Sequence, residues 1–373
     1  MGIDGKLKEL RELSETHVHF LRQPYGSFYS MDSLDLQIIE EVRKRGPSNI
    51  AEISRVLNVA PSTVSRRLEK MAVTLKLRIL TNLAYHKIGI RRAIVEIEPE
   101  AGSEAELMER VSSLGYWFQS YRVLGSLGYL VGFKIPYAFY NAYESLLNSL
   151  KEKYGVKRLS IHPLGEIVGV GPCFQNYDAE SKRWRINWSD IRRSLTESSP
   201  IILDDPPGYS MEADPLDVQI MLILESDAQT SMSEIARITG VSVPTVSNRI
   251  KKLTANGLIL GYVANILPFP LEDSRLLQLI AEFPGRTEMQ TFASGLLQTP
   301  FLLSFQKEIM KPTLFARLYL PNREYPSLSD LLRSLVREGF LKGFSVVELD
   351  MTSEQSRKIP VGLLDSKGQW QFG

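Results

Sequence analysis

Apolar residues recur at helical spacing in two separate stretches of the chain, which begin near residues 34 and 216. Positions three and four residues apart predict one buried helical face in each stretch. These positions are Leu34, Ile38, Ile39 and Val42 in the first stretch and Leu216, Ile220, Met221 and Leu224 in the second. After each stretch comes a short second helix, a tight turn at Asn58 or Gly240, and a third helix that begins near Pro61 or Pro244. Two helices joined by such a turn are typical of a helix-turn-helix.

These two stretches are related to each other in sequence. Residues 34–71 align without gaps on residues 216–253, with thirteen identical positions in 38 pairs. A shared preference for helix would not keep one register over so long an alignment, whereas a duplication would. The sequence therefore predicts a tandem repeat.

After each helix-turn-helix the apolar period changes, and the pattern predicts the order strand, helix, strand, strand, helix, strand. The predicted elements are 92–98, 104–114, 116–124, 129–135, 137–154 and 157–162 in the first copy and 276–283, 288–297, 301–307, 314–320, 327–338 and 344–349 in the second. This order is typical of the ferredoxin-like βαββαβ unit. The predicted fold class is α+β, with two tandem copies of a winged helix-turn-helix followed by a ferredoxin-like βαββαβ domain.

The predicted domain boundaries follow from this order of elements. The domains are an N-terminal helical extension over 1–30, a first winged helix-turn-helix over 31–90, a first ferredoxin-like domain over 91–172, a hairpin and linker over 173–212, a second winged helix-turn-helix over 213–270, a second ferredoxin-like domain over 271–351 and a C-terminal tail over 352–373. Residues 185–212 look like a linker because they end in Asp204-Asp205-Pro206-Pro207-Gly208. The tail is expected to be held in place by Trp370.

Composition narrows the classes of function. Lys and Arg number 44 against 43 Asp and Glu, so any nucleic-acid surface must be a local patch. A single cysteine, Cys173, excludes an intramolecular disulfide, and the four histidines show no zinc-ligand spacing, so neither a metal nor another cofactor is predicted. No signal peptide and no apolar run of membrane-spanning length are found. These features predict a cytoplasmic protein with no membrane partner.

Both copies open with Leu-Asp-x-Gln-Ile and carry Thr-Val-Ser-x-Arg in the third helix, ahead of a βαββαβ unit. This combination resembles the Lrp/AsnC (leucine-responsive/asparagine-synthetase) regulator family. The resemblance implies that the helix-turn-helix binds double-stranded operator DNA and that the βαββαβ domains pair and hold small-molecule effectors. Because family members ordinarily carry one copy and dimerise, it also implies a covalent pseudo-dimer, with further self-association left open. The predicted function is a sequence-specific transcriptional regulator and not an enzyme.

The third helix of each copy is the candidate recognition helix, with its apolar side in the core and its opposite side on DNA. The predicted DNA-binding residues are Ser62, Thr63, Arg66, Arg67 and Lys70 in the first copy and Thr245, Asn248, Arg249, Lys251 and Lys252 in the second. Arg66 is the predicted base reader because a guanidinium can bridge guanine O6 and N7, and Asn248 suits adenine. Arg67 and Lys70 are better placed for phosphates.

Charge distinguishes the two copies. Residues 32–92 hold twelve Lys and Arg against six Asp and Glu, whereas residues 214–274 hold four against seven. Phosphate neutralisation drives much of duplex binding, so the first copy is expected to contribute more of it. A second copy kept only for dimer-like packing is the alternative.

An enzymatic interpretation is the alternative function. Sirohaem decarboxylases are similar in architecture, act on a tetrapyrrole bound between βαββαβ domains, and use a histidine in the second-strand region and Arg-Arg-Ile-Gly in the wing. In this sequence the second strand, 116–124, has no histidine, and the wing reads Leu77-Arg78-Ile79-Leu80. No catalytic residue is predicted.

Overall fold

A computed structural model of the chain describes residues 30–169, 171–359 and 361–372. The predicted N-terminal helical extension lies outside these ranges except for its last residue, Ser30. None of the described helices is long and apolar enough to cross a membrane.

The first copy contains a three-helix unit, a linking strand and a βαββαβ unit, as predicted. The helix-turn-helix is α1 (Ser33–Arg45), α2 (Ile50–Leu57) and α3 (Pro61–Thr74), followed by β1 (Arg78–Leu83). The βαββαβ unit is β2 (Ile90–Pro99), α4 (Glu104–Ser112), β3 (Trp117–Arg122), β4 (Tyr129–Pro136), α5 (Tyr140–Lys153) and β5 (Val156–Leu164).

Between the two copies the chain is more ordered than its composition predicts. It forms β6 (Val168–Gly169), a small hairpin of β7 (Tyr177–Asp178) and β8 (Arg183–Trp184), and helix α6 (Trp188–Glu197). The prediction of a linker over 185–212 is therefore wrong for α6. The sequence did carry a signal: Asn187 caps this helix by accepting hydrogen bonds from two backbone amides, and Ile191 and Leu195 bury one face of it.

The second copy repeats the order of the first. Its helix-turn-helix is α7 (Pro215–Ser226), α8 (Met232–Thr239) and α9 (Val243–Ala255), followed by β9 (Ile259–Asn265). The βαββαβ unit is β10 (Ser274–Glu282), α10 (Arg286–Leu296), β11 (Leu302–Lys307), β12 (Thr313–Pro321), α11 (Tyr325–Arg337) and β13 (Gly343–Leu349), and β14 (Gln355–Ser356) follows in the tail. The predicted fold class is confirmed.

The two sheets exchange their outermost strands. Each βαββαβ unit forms an antiparallel sheet, in the order β3-β4-β2-β5 for the first copy and β11-β12-β10-β13 for the second. The first sheet gains β14 beside β3, and the second sheet gains β6 beside β11. Each added strand follows the βαββαβ unit of the other copy, so each copy completes the sheet of its neighbour.

Strand β9 does not form the wing that the sequence predicts within the second copy. It pairs with β1 instead, in an antiparallel ribbon that runs from Arg78 opposite Asn265 to Leu83 opposite Ile259. Helix α1 packs on β9, and helix α7 packs on β1. Buried backbone amides and carbonyls need hydrogen-bond partners. For β1 and β9 these partners come from the equivalent strand of the other copy, where a wing would have supplied them from a hairpin within the same copy.

The hydrophobic cores cross the boundary between the copies. The core of the first helix-turn-helix includes Ala264 and Ile266 of the second copy. The core of the second helix-turn-helix, including Val218 and Val246, is continuous with that of the first sheet. The halves are therefore interlocked, and variants are best tested in the full chain.

A close helix crossing gives a first testable prediction. A Cβ added at Gly295 in α10 would lie 2.3 Å from the carbonyl oxygen of Ser194 and 2.6 Å from the Cα of Leu195 in α6. We expect Gly295→Ala to lower the free energy of unfolding by about 1–3 kcal/mol, because overpacking outweighs the better helix propensity of alanine. Urea unfolding of the full chain measures this.

The matched control for Gly295 is Gly343, at the start of β13, where an added Cβ would meet no atom within 4 Å. Gly343→Ala should leave the unfolding midpoint almost unchanged. Equal midpoints for the two variants would contradict the close crossing of α6 and α10.

Candidate nucleic-acid interface and central cavity

Helix α3 turns one face inward and the other toward solvent. Its buried residues are Val64, Leu68 and Met71. Of the predicted DNA-binding residues on α3, Ser62, Arg66 and Lys70 are exposed, whereas Thr63 and Arg67 are half-buried. The turn before the helix is tight because Asn58 adopts a left-handed conformation with φ of 55°. The outer face of α3, the candidate recognition helix, is therefore open to solvent.

Arg67 forms ion pairs with two aspartates of the same helix-turn-helix. Its guanidinium lies 2.8 Å from an Asp32 oxygen and 2.7 Å from an Asp35 oxygen, and these hydrogen bonds raise the pKa of Arg67. Both carboxylates belong to the first turn of α1 or its cap. Arg67 therefore fastens α3 to the start of α1, and its contact with phosphate stays a prediction.

The second copy repeats this ion pair and presents a different outer face. Arg249 pairs with Asp214 and lies 3.0 Å from Asp217, at the start of α7. Thr245 is half-buried, and its amide donates a hydrogen bond to the capping Ser242 hydroxyl at 3.3 Å. The remaining predicted residues of this helix are exposed, and they are Asn248, Lys251 and Lys252.

Fewer Lys and Arg side chains near the candidate recognition helix α3 are without an ion-pair partner than the charge count over residues 32–92 indicates. Several basic residues at the end of α1 pair with glutamates, namely Arg43, Lys44 and Arg45. The Arg91 guanidinium lies 4.5 Å from the Tyr137 ring and 4.7 Å from the Tyr209 ring. In the described part of the chain, Arg66 and Lys70 have no ion-pair partner. They are therefore available to a ligand on the outer face.

Two other basic residues of that window, Arg78 and Arg92, line a cavity that the sequence did not predict. The cavity holds about 370 Å³ and lies between the two sheets, the β1–β9 ribbon, the end of α7 and the tail around residues 351–358. Six cationic and two acidic side chains line it, namely Arg78, Arg92, Lys134, Arg317, Arg357, Lys358, Glu225 and Glu354. They come from both copies, which is why no local motif marks them.

Two of these cations are deeply buried. Arg92 is 7% exposed, and its guanidinium lies 5.4 Å from the Tyr85 ring and 5.2 Å from the Phe118 ring. Its Nε has no hydrogen-bond partner among the described residues. Lys134 is 6% exposed, and its Nζ forms an ion pair with Glu225. Burial lowers the pKa of Lys134, while the Glu225 carboxylate opposes that shift.

Metal ligation is not indicated at either place. The described ranges contain no group of three or more histidine, cysteine, aspartate or glutamate side chains placed to hold a metal ion. Neither His86 nor His162 lines the central cavity. The chemistry that the cavity offers is therefore positive charge, amide groups and aromatic rings.

Comparison with protein families matches both helix-turn-helix units. The AsnC-type helix-turn-helix domain matches residues 31–72, and a winged helix-turn-helix DNA-binding domain matches residues 214–259. The chain is thus a protein with two helix-turn-helix units and two βαββαβ units. Its resemblance to the Lrp/AsnC family is confirmed by these matches and by the regulators that resemble it.

Two of these regulators are archaeal. The HTH-type transcriptional regulator Ptr1 of Methanocaldococcus jannaschii is 46% identical over 55 residues, which are 15% of this chain and 37% of Ptr1. The chain therefore matches little more than a third of that protein's length. The HTH-type transcriptional regulator FL11 of Pyrococcus horikoshii is 24% identical over 149 residues, which cover 40% of this chain and 96% of FL11.

A solved structure resembles this chain over nearly its whole length. The siroheme decarboxylase NirDL superposes with a TM-score of 0.52 and 11% identity, covering 87% of this chain and 92% of that one. NirDL in co-complex with an iron-uroporphyrin III analogue gives a TM-score of 0.55 at the same identity. At this identity the likeness establishes a shared fold only.

Proposed function

We propose that the protein is a sequence-specific DNA-binding transcription regulator of the Lrp/AsnC type, built as a covalent pseudo-dimer. The observation that carries this proposal is the exposed face of α3, where Arg66 and Lys70 stand free at the outer side of an AsnC-type helix-turn-helix. Side chains at this place in a recognition helix reach base edges and phosphates in the major groove. The regulators Ptr1 and FL11 support the same function.

The two recognition helices are expected to read different half-sites. At equivalent positions the outer faces carry Arg66 against Asn248 and Glu69 against Lys251, all of them exposed. Arginine suits guanine and asparagine suits adenine. One chain that engages both helices therefore prefers an asymmetric operator.

Selection of bound duplexes from a random pool, with the full chain, tests the proposed function. A recurring motif supports regulation, and the absence of any enriched sequence refutes it. Footprinting with the bound stoichiometry then separates the arrangements. One chain on one asymmetric site supports the pseudo-dimer, whereas two chains on an inverted repeat would leave the second helix-turn-helix off the DNA.

Arg66 should carry base specificity. We expect Arg66→Ala to weaken binding to the selected site by about 1–3 kcal/mol and to relax specificity at one base pair, because a bidentate contact to guanine is lost. A gel-shift titration against the selected site and its single-base variants measures both effects. Arg110→Ala, at an exposed position on α4, is the control for loss of a surface charge. Unchanged affinity and preference in Arg66→Ala would remove α3 from the interface.

Lys70 should act on all sequences alike. Lys70→Ala is expected to weaken specific and non-specific binding together and to reduce the slope of log affinity against log salt by about one, because one phosphate contact is lost. Titrations at several salt concentrations give the slope. Lys151→Ala on α5, also exposed, should leave it unchanged. A sequence-dependent loss in Lys70→Ala would assign this residue to base reading instead.

The second candidate function is a decarboxylase acting on an anionic tetrapyrrole, because NirDL is named a siroheme decarboxylase. The observation that favours it is the group of six cations around the central cavity. An absorbance titration of the full chain with iron uroporphyrin III, together with an assay for released carbon dioxide, tests it. Saturable binding together with release of carbon dioxide would support the decarboxylase. If the chain neither binds the tetrapyrrole nor releases carbon dioxide, the decarboxylase is refuted and the proposed regulator remains.

A further inference from the structure

The central cavity has the composition of an anion-binding site. Six cations and two carboxylates line it, so the walls carry excess positive charge. Burying a cation away from water is unfavourable unless it is paired. Arg92 is nevertheless 7% exposed, and its Nε has no hydrogen-bond partner in the described part of the chain, although the Tyr85 and Phe118 rings flank it. A bound anion would supply the missing partner.

The cations lie on facing walls. Arg92 and Lys134 project from β2 and β4 of the first sheet, whereas Arg317 projects from β12 of the second. The Arg317 Nε donates to the Gln278 side-chain oxygen at 3.1 Å, and its guanidinium lies 4.9 Å from the Tyr121 ring. Arg317 is therefore held in position before any ligand arrives. Cations on both walls suit a ligand that carries a negatively charged group at each of its two ends.

Size and lining restrict the ligand further. A volume of about 370 Å³ lies near the lower end of the range for small-molecule sites, roughly 300–1,000 Å³. This favours a molecule of nucleotide size over a macrocycle. The Tyr85, Phe118, Tyr121 and Phe315 side chains also line the cavity, and they suit a flat apolar body.

We propose that the central cavity binds a small organic anion, with two or more carboxylate or phosphate groups on a flat body, and that this ligand controls the position of helix α7. The binding site stands on its own geometry. Only the consequence for DNA rests on the proposed function.

The cavity reaches the second helix-turn-helix through the last turn of α7. The Glu225 carboxylate accepts hydrogen bonds from Lys134 and Tyr85. Arg78 donates to the carbonyl oxygen of Ser226 at 2.6 Å. An anion beside Lys134 competes with Glu225 for that cation and repels its carboxylate. Ligand binding therefore loosens the end of α7. Because linkage is reciprocal, DNA that holds α7 in place would in turn weaken the affinity of the cavity for the ligand.

Isothermal titration of the full chain with benzene-1,3,5-tricarboxylate and with adenosine 3′,5′-bisphosphate tests the binding site. We expect one molecule per chain for at least one probe, and at least a tenfold loss of affinity in Arg92→Gln. Because Arg92 is buried and its variant could fail to fold, Arg317→Gln on the facing wall gives the same test at a less deeply buried position. Lys151→Gln is the control for loss of charge elsewhere.

The outcomes show which type of anionic group the cavity binds. Binding of the bisphosphate alone assigns phosphate groups, and binding of the tricarboxylate alone assigns carboxylate groups. Binding of neither probe overturns the proposal, as does binding that both arginine variants leave intact. If only iron uroporphyrin III binds, the small-ligand proposal is wrong and the second candidate function gains support.

Hydrogen exchange of the backbone amides of residues 222–228, without DNA, tests the coupling. The bound probe should speed exchange at least threefold in the natural chain and have no effect in Glu225→Gln, whose side chain carries no charge to repel. Tyr85→Phe, which keeps the Glu225 charge, should still respond. Unchanged exchange on ligand binding overturns the coupling. If exchange responds but no duplex is bound, the proposed function fails and this inference stands.

Discussion

Replacing Trp370 with alanine is expected to lower the free energy of unfolding by about 3–5 kcal/mol, the usual cost of deleting a large buried aromatic side chain. Trp370 is 8% exposed and belongs to the core that joins the first sheet to the second helix-turn-helix. Its indole N–H donates to the Ile88 carbonyl oxygen at 2.7 Å, and its ring meets the Tyr116 ring edge-on. The C-terminal tail is thereby fixed to the first copy, as the sequence predicts.

Urea unfolding of the full chain, followed by circular dichroism, measures this loss. Phe372→Ala, two residues further along the same tail, is the matched control, because Phe372 is half exposed although it contacts the Phe139 and Tyr143 rings. It should cost much less. Similar losses for the two variants would show that the tail is held by its general packing and not by Trp370.

The free energy of unfolding should also fall as the pH rises from about 6.5 to about 9, by up to about 3 kcal/mol from His162 alone. Burial by itself lowers the pKa of His162, but the hydrogen bond with Glu308 and the nearby carboxylates of Glu308 and Glu96 outweigh it and raise the pKa to about 9. Its ring nitrogens lie 3.3 Å from a Glu308 oxygen and 3.4 Å from a Glu96 oxygen. Glu308 is shared with Lys311, which lies 2.6 Å away.

The direction of this effect follows from proton binding. Below pH 6.5 both the folded and the unfolded chain carry a protonated His162, so the stabilisation is fully present. Above that pH the unfolded chain releases its proton first, and the stabilisation is lost as the folded histidine titrates near pH 9. Because Glu308 belongs to the second copy, the contact between the copies weakens over this range.

His162→Gln is the control for the pH dependence. The difference in unfolding free energy between the natural chain and this variant should shrink from pH 6.5 to pH 9. Imidazole resonances in NMR spectra should give a pKa near 9 for His162 in the folded chain. A difference that stays constant with pH, or a His162 pKa below 7, would contradict the paired arrangement with the two carboxylates.

Local sequence was sufficient for the repeated architecture and for the outer faces of the recognition helices. Helical spacing and strand alternation reflect which side of an element is buried, so the pattern around Val64 and Leu68 predicts both the core and the exposed position of Arg66. The turns at Asn58 and Gly240 were likewise predicted from residues that tolerate positive φ, and both adopt it. These features depend on neighbours within a few residues along the chain.

Contacts between distant segments were decided by the tertiary structure alone. The pairing of β1 with β9, the exchange of β6 and β14, and the ion pair of Arg67 with Asp32 and Asp35 each join residues that no local pattern relates. The positive charge counted over residues 32–92 includes Arg78 and Arg92, whose side chains line the cavity. A charge count along the chain does not tell where each basic side chain points. That orientation depends on which strand lies beside the residue and which sheet faces it.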